Sequence, residues 1–317
     1  MTTMQMAILT ALLVIVLVVK RLGLHKGLRS GFPGMVASLA TSWRRLWVGV
    51  IYKQTEVQGY DLAYLEGGKG ETVVFLHGFA SEKDDWMPMA RRLGRKYRFV
   101  ALDLPGFGES SRLGHNRHDV VSQVRRFRAF AQKVGLGSFH LVGCGVGGAV
   151  AGVFASLFPK DVNSLTMIEP FGIDAPTKGD VERLSGRGWS PLTAGTEQDY
   201  ERVLKLLYRD PPKATGFLQR RRRAAAIENQ VFEEQVWKQL WESRPYVLEQ
   251  VLSEIKVRTL LLWGDSQKVA HQSALKVLSQ GIPTATPVTI KGCGHLMMLE
   301  KPKEVGDRVG KFIRGES

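Results

Sequence analysis

A strand, a glycine-rich turn and a small-residue helix follow one another between residues 139 and 152. Phe139 to Val142 is an apolar run of the β-strand type, and residues 143–148 read Gly-Cys-Gly-Val-Gly-Gly. The helix that follows contains only glycine, alanine and valine up to Gly152. Small residues are needed in such a turn because the strand and helix backbones approach closely. The segment predicts a sharp strand-to-helix turn whose central position, Gly145, has no side chain.

Strand and helix patterns alternate on both sides of this turn. Strand-like runs lie at 55–58, 62–65, 72–76, 98–102, 165–168, 259–263 and 288–290, and helical patterns lie at 86–93, 120–134, 146–158 and 303–313. Continuous apolar runs are typical of strands that are buried on both faces. The alternation predicts an α/β fold with a mostly parallel central sheet flanked by helices.

The stretch from Phe171 to Ser253 breaks the alternation. It is rich in charged residues and helix formers, and apolar residues recur at helical spacing in 200–208 and 229–241. We interpret 171–253 as a helical cap that is inserted after the sixth strand and lies over the site. Trp237 and Trp241 share one helix face, where they either pack beneath the cap or line a pocket for an acyl chain.

The first 19 residues form a separate unit without any charged side chain. As a helix they would extend about 28 Å, close to the roughly 30 Å hydrocarbon core of a bilayer. Lys20 and Arg21 follow the apolar run directly. This order of charge favours a retained single-pass anchor, assigned to residues 1–22, over a cleaved signal peptide. It also predicts that the body of the chain faces the cytosol.

Residues 23–54 combine basic and aromatic side chains, among them Trp43, Arg44 and Trp47. This blend is expected at a lipid headgroup layer, and an ordinary basic linker is the alternative. The net charge of +14 fits a membrane surface as a partner. Nucleic acid is not expected, because no binding motif accompanies the single dense cluster of four arginines at 220–223.

The two cysteines, Cys144 and Cys293, imply neither a disulfide framework nor a zinc site. No metal ion or cofactor is expected for the chain.

Four motifs together resemble those of the α/β-hydrolase family. They are His-Gly-Phe-Ala at 77–80, Asp-Leu-Pro-Gly-Phe-Gly-Glu-Ser at 103–110, the turn at 143–147, and Gly-Cys-Gly-His at 292–295. Their order and their places between strands resemble the oxyanion-hole loop, a typical strand-end loop, the nucleophile elbow and the histidine loop. We assign residues 55–317 to this domain. The N-terminal apolar segment and Trp-Arg-Arg at 43–45 are most similar to membrane-anchored monoacylglycerol-lipase-type serine hydrolases.

The resemblance implies a nucleophile, an acid and a histidine, in that order along the chain. His295 falls at the position of the catalytic base, and a surface histidine in a glycine turn is the alternative. The nucleophile position is occupied by Gly145. The usual acid position, three residues after Gly264, is occupied by Gln267, a neutral amide. Two of the three positions therefore carry residues that cannot perform the family's chemistry.

Several residues are alternatives for the substituted positions. Glu169 ends the strand at 165–168, and haloalkane dehalogenases have their catalytic acid at the end of the corresponding strand. Asp265 is a second alternative, because it lies two residues from the usual acid position. Cys144 is an alternative nucleophile, although neighbouring side chains at a sharp turn are expected to point in different directions. The backbone N–H groups of Phe79 and Val146 remain the expected oxyanion donors.

Three functions compete on this evidence. The first is a membrane-anchored, hydrolase-fold pseudoenzyme that binds a lipid-like ester or fatty acid or presents the fold to a protein partner of unknown identity. The second is an active ester or lipid hydrolase in which His295, supported by Glu169, acts as a base on a bound water. The third is a structural interaction module with a collapsed pocket.

Overall fold

An eight-stranded sheet forms the centre of the fold, and the computed structural model describes residues 31–185, 190–213, 217–243 and 245–316. The strands are β1 (Val50–Val57), β2 (Tyr60–Gly67), β3 (Thr72–Leu76), β4 (Arg98–Leu102), β5 (Phe139–Cys144), β6 (Val162–Ile168), β7 (Thr259–Gly264) and β8 (Ala285–Ile290). Their order across the sheet is β1-β2-β4-β3-β5-β6-β7-β8. β1 and β2 pair antiparallel, as do β2 and β4, and every other pairing is parallel. The predicted mostly parallel sheet is confirmed.

Helices cover both faces of this sheet. They are α1 (Gly31–Val48), α2 (Met87–Leu93), α3 (Val120–Lys133), α4 (Val146–Leu157), α5 (Asp180–Ser185), α6 (Glu197–Leu207), α7 (Phe217–Ser243), α8 (Ser273–Gly281), α9 (Met297–Glu300) and α10 (Pro302–Ile313). Apolar side chains of α3, α4 and α8 join the core on one face. Those of α2 and α10 join the core on the other face. The three-layer arrangement is the one that buries parallel strands on both sides.

The first strand is longer than its sequence pattern predicts. β1 begins at Val50, within the segment assigned to the basic region at 23–54, and pairs with β2 along its whole length, from Val50 opposite Gly67 to Val57 opposite Tyr60. The sequence at 50–54 does not predict a strand, because polar and aromatic residues interrupt the alternation of apolar and polar side chains. Pairing with a neighbouring strand, which no local pattern reveals, determines where this strand starts.

The turn between β5 and α4 requires glycine on both sides of residue 145. A Cβ atom at Gly143 would lie 2.3 Å from the carbonyl oxygen of Gly147. A Cβ atom at Gly147 would lie 2.3 Å from the carbonyl oxygen of His77. Real Cβ atoms do not approach backbone oxygens so closely, so these two glycines let the helix start directly against the strands. The predicted sharp turn is therefore present.

Among the described residues, three α-helices lie in the insertion between β6 and β7. α6 contains the helical pattern predicted at 200–208 except for its last residue, which is extended, and α7 contains the pattern predicted at 229–241. Within the interpreted cap, residues 186–189, 214–216 and 244 lie outside the described residues. Side chains of α6 and α7 line the same cavity as the turn at Gly145, which fits the interpretation of 171–253 as a cap.

Helix α1 precedes the sheet and has two contrasting faces. Ser42 and Arg45 are buried against the domain, whereas Trp43 and Trp47 are 73% and 68% exposed. None of the described helices combines the length and hydropathy needed to cross a bilayer. The predicted anchor, residues 1–22, lies outside the described residues, as do residues 23–30.

Candidate active site

Gly145 occupies the tip of the turn in a backbone conformation that favours glycine. Its φ is +53° and its ψ is −119°. Its N–H donates to the carbonyl oxygen of Ile168 at 3.0 Å, and its own carbonyl accepts from Ala149 and Phe171. These bonds fix the tip against β6 and α4. A side chain here would be held in a strained conformation, which is a property of functional turns.

The Cα–H bond of Gly145 faces the imidazole of His295. A Cβ atom built at position 145 would lie 3.1 Å from His295 Nε2 and 3.6 Å from Gly78 Cα. The imidazole would have to move by a few tenths of an ångström to admit that atom. The tip and the histidine are therefore arranged as a nucleophile and a base would be, but the hydroxyl is missing.

His295 is buried and held from two sides. Its Nδ1 lies 2.6 Å from Glu169 Oε2, and its backbone N–H donates to Leu207 O at 2.8 Å. Burial disfavours the imidazolium, but the Cys144 sulfur and the Glu169 carboxylate favour it, and the net effect raises the pKa of His295. The predicted alternative of a surface histidine is wrong, because only 6% of this residue is exposed.

Glu169 is the carboxylate that contacts the histidine. It follows β6 directly and adopts a φ of +44°, which is unusual for a residue other than glycine. Its second oxygen, Oε1, accepts from the N–H of Gly264 at 2.7 Å, so both oxygens have partners. The strained backbone and the two bonds aim this side chain at the ring, as in an acid that orients a catalytic histidine.

Neither candidate from the loop after β7 makes a described contact with His295. Gln267 Oε1 accepts from the N–H groups of Val269 and Ala270, so this amide closes its own loop. Asp265 Oδ1 accepts from the N–H of Gly292 at 2.8 Å and stabilises the histidine loop. Asp265 as the working acid is therefore not supported by geometry, and Gln267 stands at the sequence position of the acid without its contacts.

Cys144 lies closer to the histidine than expected. Its Sγ is 3.9 Å from His295 Nε2, although adjacent side chains at the turn were expected to diverge. Burial raises the pKa of the Cys144 thiol despite the nearby histidine, so the reactive thiolate is disfavoured. The side chain is also completely buried, which fits a packing role.

A cavity of about 570 Å³ opens over the turn. The residues that line it include Gly145, His295 and the two residues proposed as oxyanion donors, Phe79 and Val146. Val146 begins α4, so its N–H belongs to the first turn, which lacks acceptors within the helix. The donors and the base therefore face the same space.

Much of the cavity wall is apolar, and a large part of it comes from the insertion. Trp237 and Trp241 both line it, and the ring of Trp237 packs on Phe79 with 4.9 Å between ring centroids. Val203 and Leu204 of α6 contribute further apolar surface. The two tryptophans thus contribute to both predicted roles, because they pack on each other and also border the cavity.

Among the polar residues of the cavity wall that sequence analysis missed are Arg112 and Glu233. A signal for Glu233 exists in the chain. It precedes Val236, Trp237 and Leu240 by three, four and seven residues, which places it on the apolar face of α7. A carboxylate on an apolar helix face is a reason to ask what it contacts. Arg112, in a loop, offers no such signal.

Proteins of known class share this fold along most of the chain. A family described as alpha/beta hydrolase fold matches residues 71–302. Human (Homo sapiens) monoacylglycerol lipase ABHD6 is 28% identical over 287 residues, covering 86% of this chain and 84% of that protein. Lipase 1 of Psychrobacter immobilis is 27% identical over 263 residues, covering 81% of this chain and 82% of that lipase.

A solved structure is similar over nearly its full length. The crystal structure of a membrane phospholipase A, described as a bacterial virulence factor, is 30% identical, covers 99% of both chains and gives a TM-score of 0.86. The resemblance inferred from the four motifs is confirmed at the level of the family. The chain belongs to the α/β-hydrolase fold family and is a lipase- and acylglycerol-hydrolase-like member of it.

Proposed function

We propose that this chain binds an acyl lipid, either an ester or a free fatty acid, and is impaired in hydrolysis through a serine nucleophile. The observation that carries the proposal is that Gly145 stands opposite His295 and has no hydroxyl. A Cβ atom built at this position would lie 3.1 Å from His295 Nε2. An acyl-enzyme cannot form on glycine. In serine proteases the oxyanion hole and binding alone leave roughly 10³- to 10⁴-fold acceleration over water.

The binding part of the proposal rests on what remains of the site. Oxyanion donors consist of backbone N–H groups, which do not depend on the side chain at 145. With the amides of Phe79 and Val146 at one end, the apolar cavity suits a carbonyl or carboxylate attached to an alkyl chain. The names of the relatives, a monoacylglycerol lipase and a membrane phospholipase A, support a lipid ligand.

A second candidate function is hydrolysis by a water molecule that His295 activates. The contact of 2.6 Å between His295 Nδ1 and Glu169 Oε2 favours it, because it orients the ring as a base. A purely structural module with a collapsed pocket has no comparable support, since the cavity is about 570 Å³.

Restoring the nucleophile tests the proposal most directly. We expect Gly145→Ser to react with a fluorophosphonate probe and to hydrolyse a decanoate ester, whereas the natural chain reacts with neither. Gly145→Ala is the matched control, because it adds the same Cβ without the hydroxyl. Adding Glu169→Gln to Gly145→Ser should remove most of the gained activity, by about 10³- to 10⁴-fold, if Glu169 serves as the acid.

Two outcomes would contradict the proposal. Robust labelling of the natural chain at the level of the serine variant would show that nucleophilic hydrolysis is intact. Ester turnover by the natural chain that Glu169→Gln abolishes would favour the water mechanism. Gln267→Asp, by contrast, should change the activity of the serine variant little, because Gln267 bonds Val269 and Ala270 of its own loop.

We further propose that residues 1–22 anchor the chain in a membrane, with the domain on the cytosolic side. The exposed face of α1 supports this placement, because Trp43 and Trp47 suit a headgroup layer and Arg44 lies between them. The full chain should stay with the membrane fraction after a carbonate wash. Release into the supernatant would contradict an integral anchor.

A further inference from the structure

Glu233 is a buried carboxyl group without a partner among the described residues. It lies on α7 and lines the cavity, and only 6% of the residue is exposed. Its Oε2 has no hydrogen-bond partner. The adjacent Glu234 differs sharply, because its carboxylate accepts from the backbone of Ser190 and the hydroxyl of Thr193. Glu234 is therefore satisfied within the described residues, whereas Oε2 of Glu233, a residue that lines the cavity, is buried without a partner there.

Arg112 is the complementary group in the same wall. One terminal nitrogen of its guanidinium donates to the carbonyl oxygen of Gly108 at 3.0 Å. Its Nε–H is buried and has no acceptor among the described residues. Arg112 is also the cation that opposes the effect of burial on Glu233, so the two side chains are electrostatic neighbours. The wall thus presents an unused acceptor and an unused donor.

Leaving such groups without partners is unfavourable for the fold alone. A buried polar group that lacks a hydrogen bond destabilises the protein, and most buried polar groups are paired for this reason. Ligand sites are the usual exception, because a few polar groups in an apolar pocket are satisfied when the ligand binds. Three residues that line the cavity, Arg112, Glu233 and Trp241, each have one such atom, and these atoms point to a polar group on the ligand.

The position of Glu233 on α7 indicates where on the ligand this polar group lies. Residues four apart on a helix are neighbours on one face, so Glu233 lies beside Trp237. The Trp237 ring packs on Phe79, at 4.9 Å between centroids, and Phe79 is a proposed oxyanion donor. We therefore expect the polar pair to lie closer to the acyl carbonyl than to the tip of the alkyl chain.

The two groups together select one chemistry. A carboxyl oxygen requires a donor, and the Nε–H requires an acceptor, and an aliphatic hydroxyl supplies both. A ligand cation is disfavoured by Arg112, and a ligand anion is disfavoured by Glu233. We propose that Glu233 and Arg112 form a hydroxyl-binding subsite for a hydroxyl group close to the carbonyl of the bound acyl lipid. This inference rests on the proposed function, since it assumes that the cavity binds an acyl carbonyl or carboxylate.

Two kinds of lipid carry such a hydroxyl. A polyol headgroup such as glycerol places it on the alcohol side of the ester, and a hydroxylated acyl chain places it on the acid side. Binding of two ligand pairs to the full chain, measured by calorimetry, separates these sources. The first pair is 1-decanoylglycerol and propyl decanoate, and the second is 3-hydroxydecanoic acid and decanoic acid.

We expect the hydroxylated member of one pair to bind at least about 10-fold more tightly than its match, as is typical for a hydrogen bond to a charged group. Glu233→Leu should abolish this preference, so that both members of the pair bind with equal affinity. Glu242→Gln, an exposed carboxylate on the same helix, is the control and should preserve it. Glu233→Leu should fold, because it removes an unsatisfied group from an apolar surface.

The outcomes separate the subsite from the proposed function. Equal affinities within both pairs, or a preference that survives Glu233→Leu, would overturn the subsite while lipid binding itself stands. Absence of binding for all four ligands would overturn the proposed function and the subsite with it. A preference in one pair alone that depends on Glu233 supports the subsite and identifies the source of the hydroxyl.

Discussion

Two regions of the molecule bury charged groups in opposite ways. The first, here called the Lys83 cluster, lies between α1 and the sheet and consists of Arg45, Lys83, Asp84, Asp103 and Glu109. Lys83 Nζ lies 2.7 Å from Asp103 Oδ2 and 2.6 Å from Glu109 Oε2. Arg45 binds both oxygens of Asp84 and also contacts Glu109 at 3.0 Å. Every member of this cluster has an oppositely charged partner.

The second region is the cavity wall that contains Glu233 and Arg112. Among the described residues, Oε2 of Glu233 and Nε of Arg112 have no hydrogen-bond partner. Lys83 and Asp103 are fully buried, Glu233 is 6% exposed and Arg112 is half-buried. The Lys83 cluster is complete within the protein, whereas we propose that a ligand hydroxyl completes the cavity pair. Ion pairs thus account for the buried charges of the first region, and ligand binding would account for the unpaired atoms of the second.

The pKa values of the buried glutamates also differ between the two regions. In the Lys83 cluster, burial opposes ionisation of Glu109, but Lys83 and Arg45 outweigh it and lower the pKa of that carboxyl. In the cavity, burial dominates and raises the pKa of Glu233 to about 7. Glu109 thus contributes stability that is lost as the pH falls, and Glu233 contributes stability that is lost as the pH rises.

The largest expected effect breaks the Lys83 cluster. Lys83→Met removes the cation that binds Asp103 and Glu109, so the buried Asp103 loses its lysine partner and Glu109 keeps only Arg45. We expect the free energy of unfolding to fall by about 3–5 kcal/mol at pH 7, measured by chemical denaturation. Lys53→Met is the control, because Lys53 is half-exposed in its ion pair with Glu66 and should contribute less than about 1 kcal/mol. Equal losses in the two variants would remove the distinction.

The fold was predictable because its signals are local. Apolar runs such as 72–76 and 259–263 are strands buried on both faces, and the glycines at 143 and 147 mark the turn whatever surrounds it. The sequence does not predict the first residues of β1, 50–54. They form a strand because they pair with β2, and their own sequence pattern does not indicate one.

The site was predictable only in part, because its contacts join distant parts of the chain. Spacing along one loop suggested Gln267 for the acid position, whereas the carboxylate that contacts His295 is Glu169, 126 residues away in sequence. Strain at a φ of +44° and the bond from Gly264 direct that carboxylate, and neither is visible in the sequence. The distance of 3.9 Å between Cys144 and His295 likewise arises from the turn and histidine loop meeting in space.

A smaller effect sharpens the comparison through the pH dependence of Glu233. Its pKa is raised from an ordinary value of 4.5 to about 7 in the folded protein, so the folded state binds more protons than the unfolded state between these values. The free energy of unfolding should therefore fall as the pH rises from about 4.5 to 7, by on the order of 2–3 kcal/mol from this group. Glu233→Gln, which does not titrate, should remove this slope, as urea denaturation at a series of pH values can measure.

Glu109→Gln provides the opposite sign in the same experiment. Because the pKa of Glu109 is lowered in the folded state, its contribution is present above about pH 4.5 and is lost at lower pH. The Glu109 variant should lose its disadvantage as the pH falls below about 4.5, whereas the Glu233 variant should lose its advantage at higher pH, as the pH falls from about 7 to 4.5. If both variants changed stability in the same direction with pH, the carboxyl of Glu233 would already have a cation partner in the free protein. The Glu233 carboxyl would then not be free to accept a hydrogen bond from a ligand hydroxyl. The charged groups of the cavity wall would be paired within the protein, as those of the Lys83 cluster are.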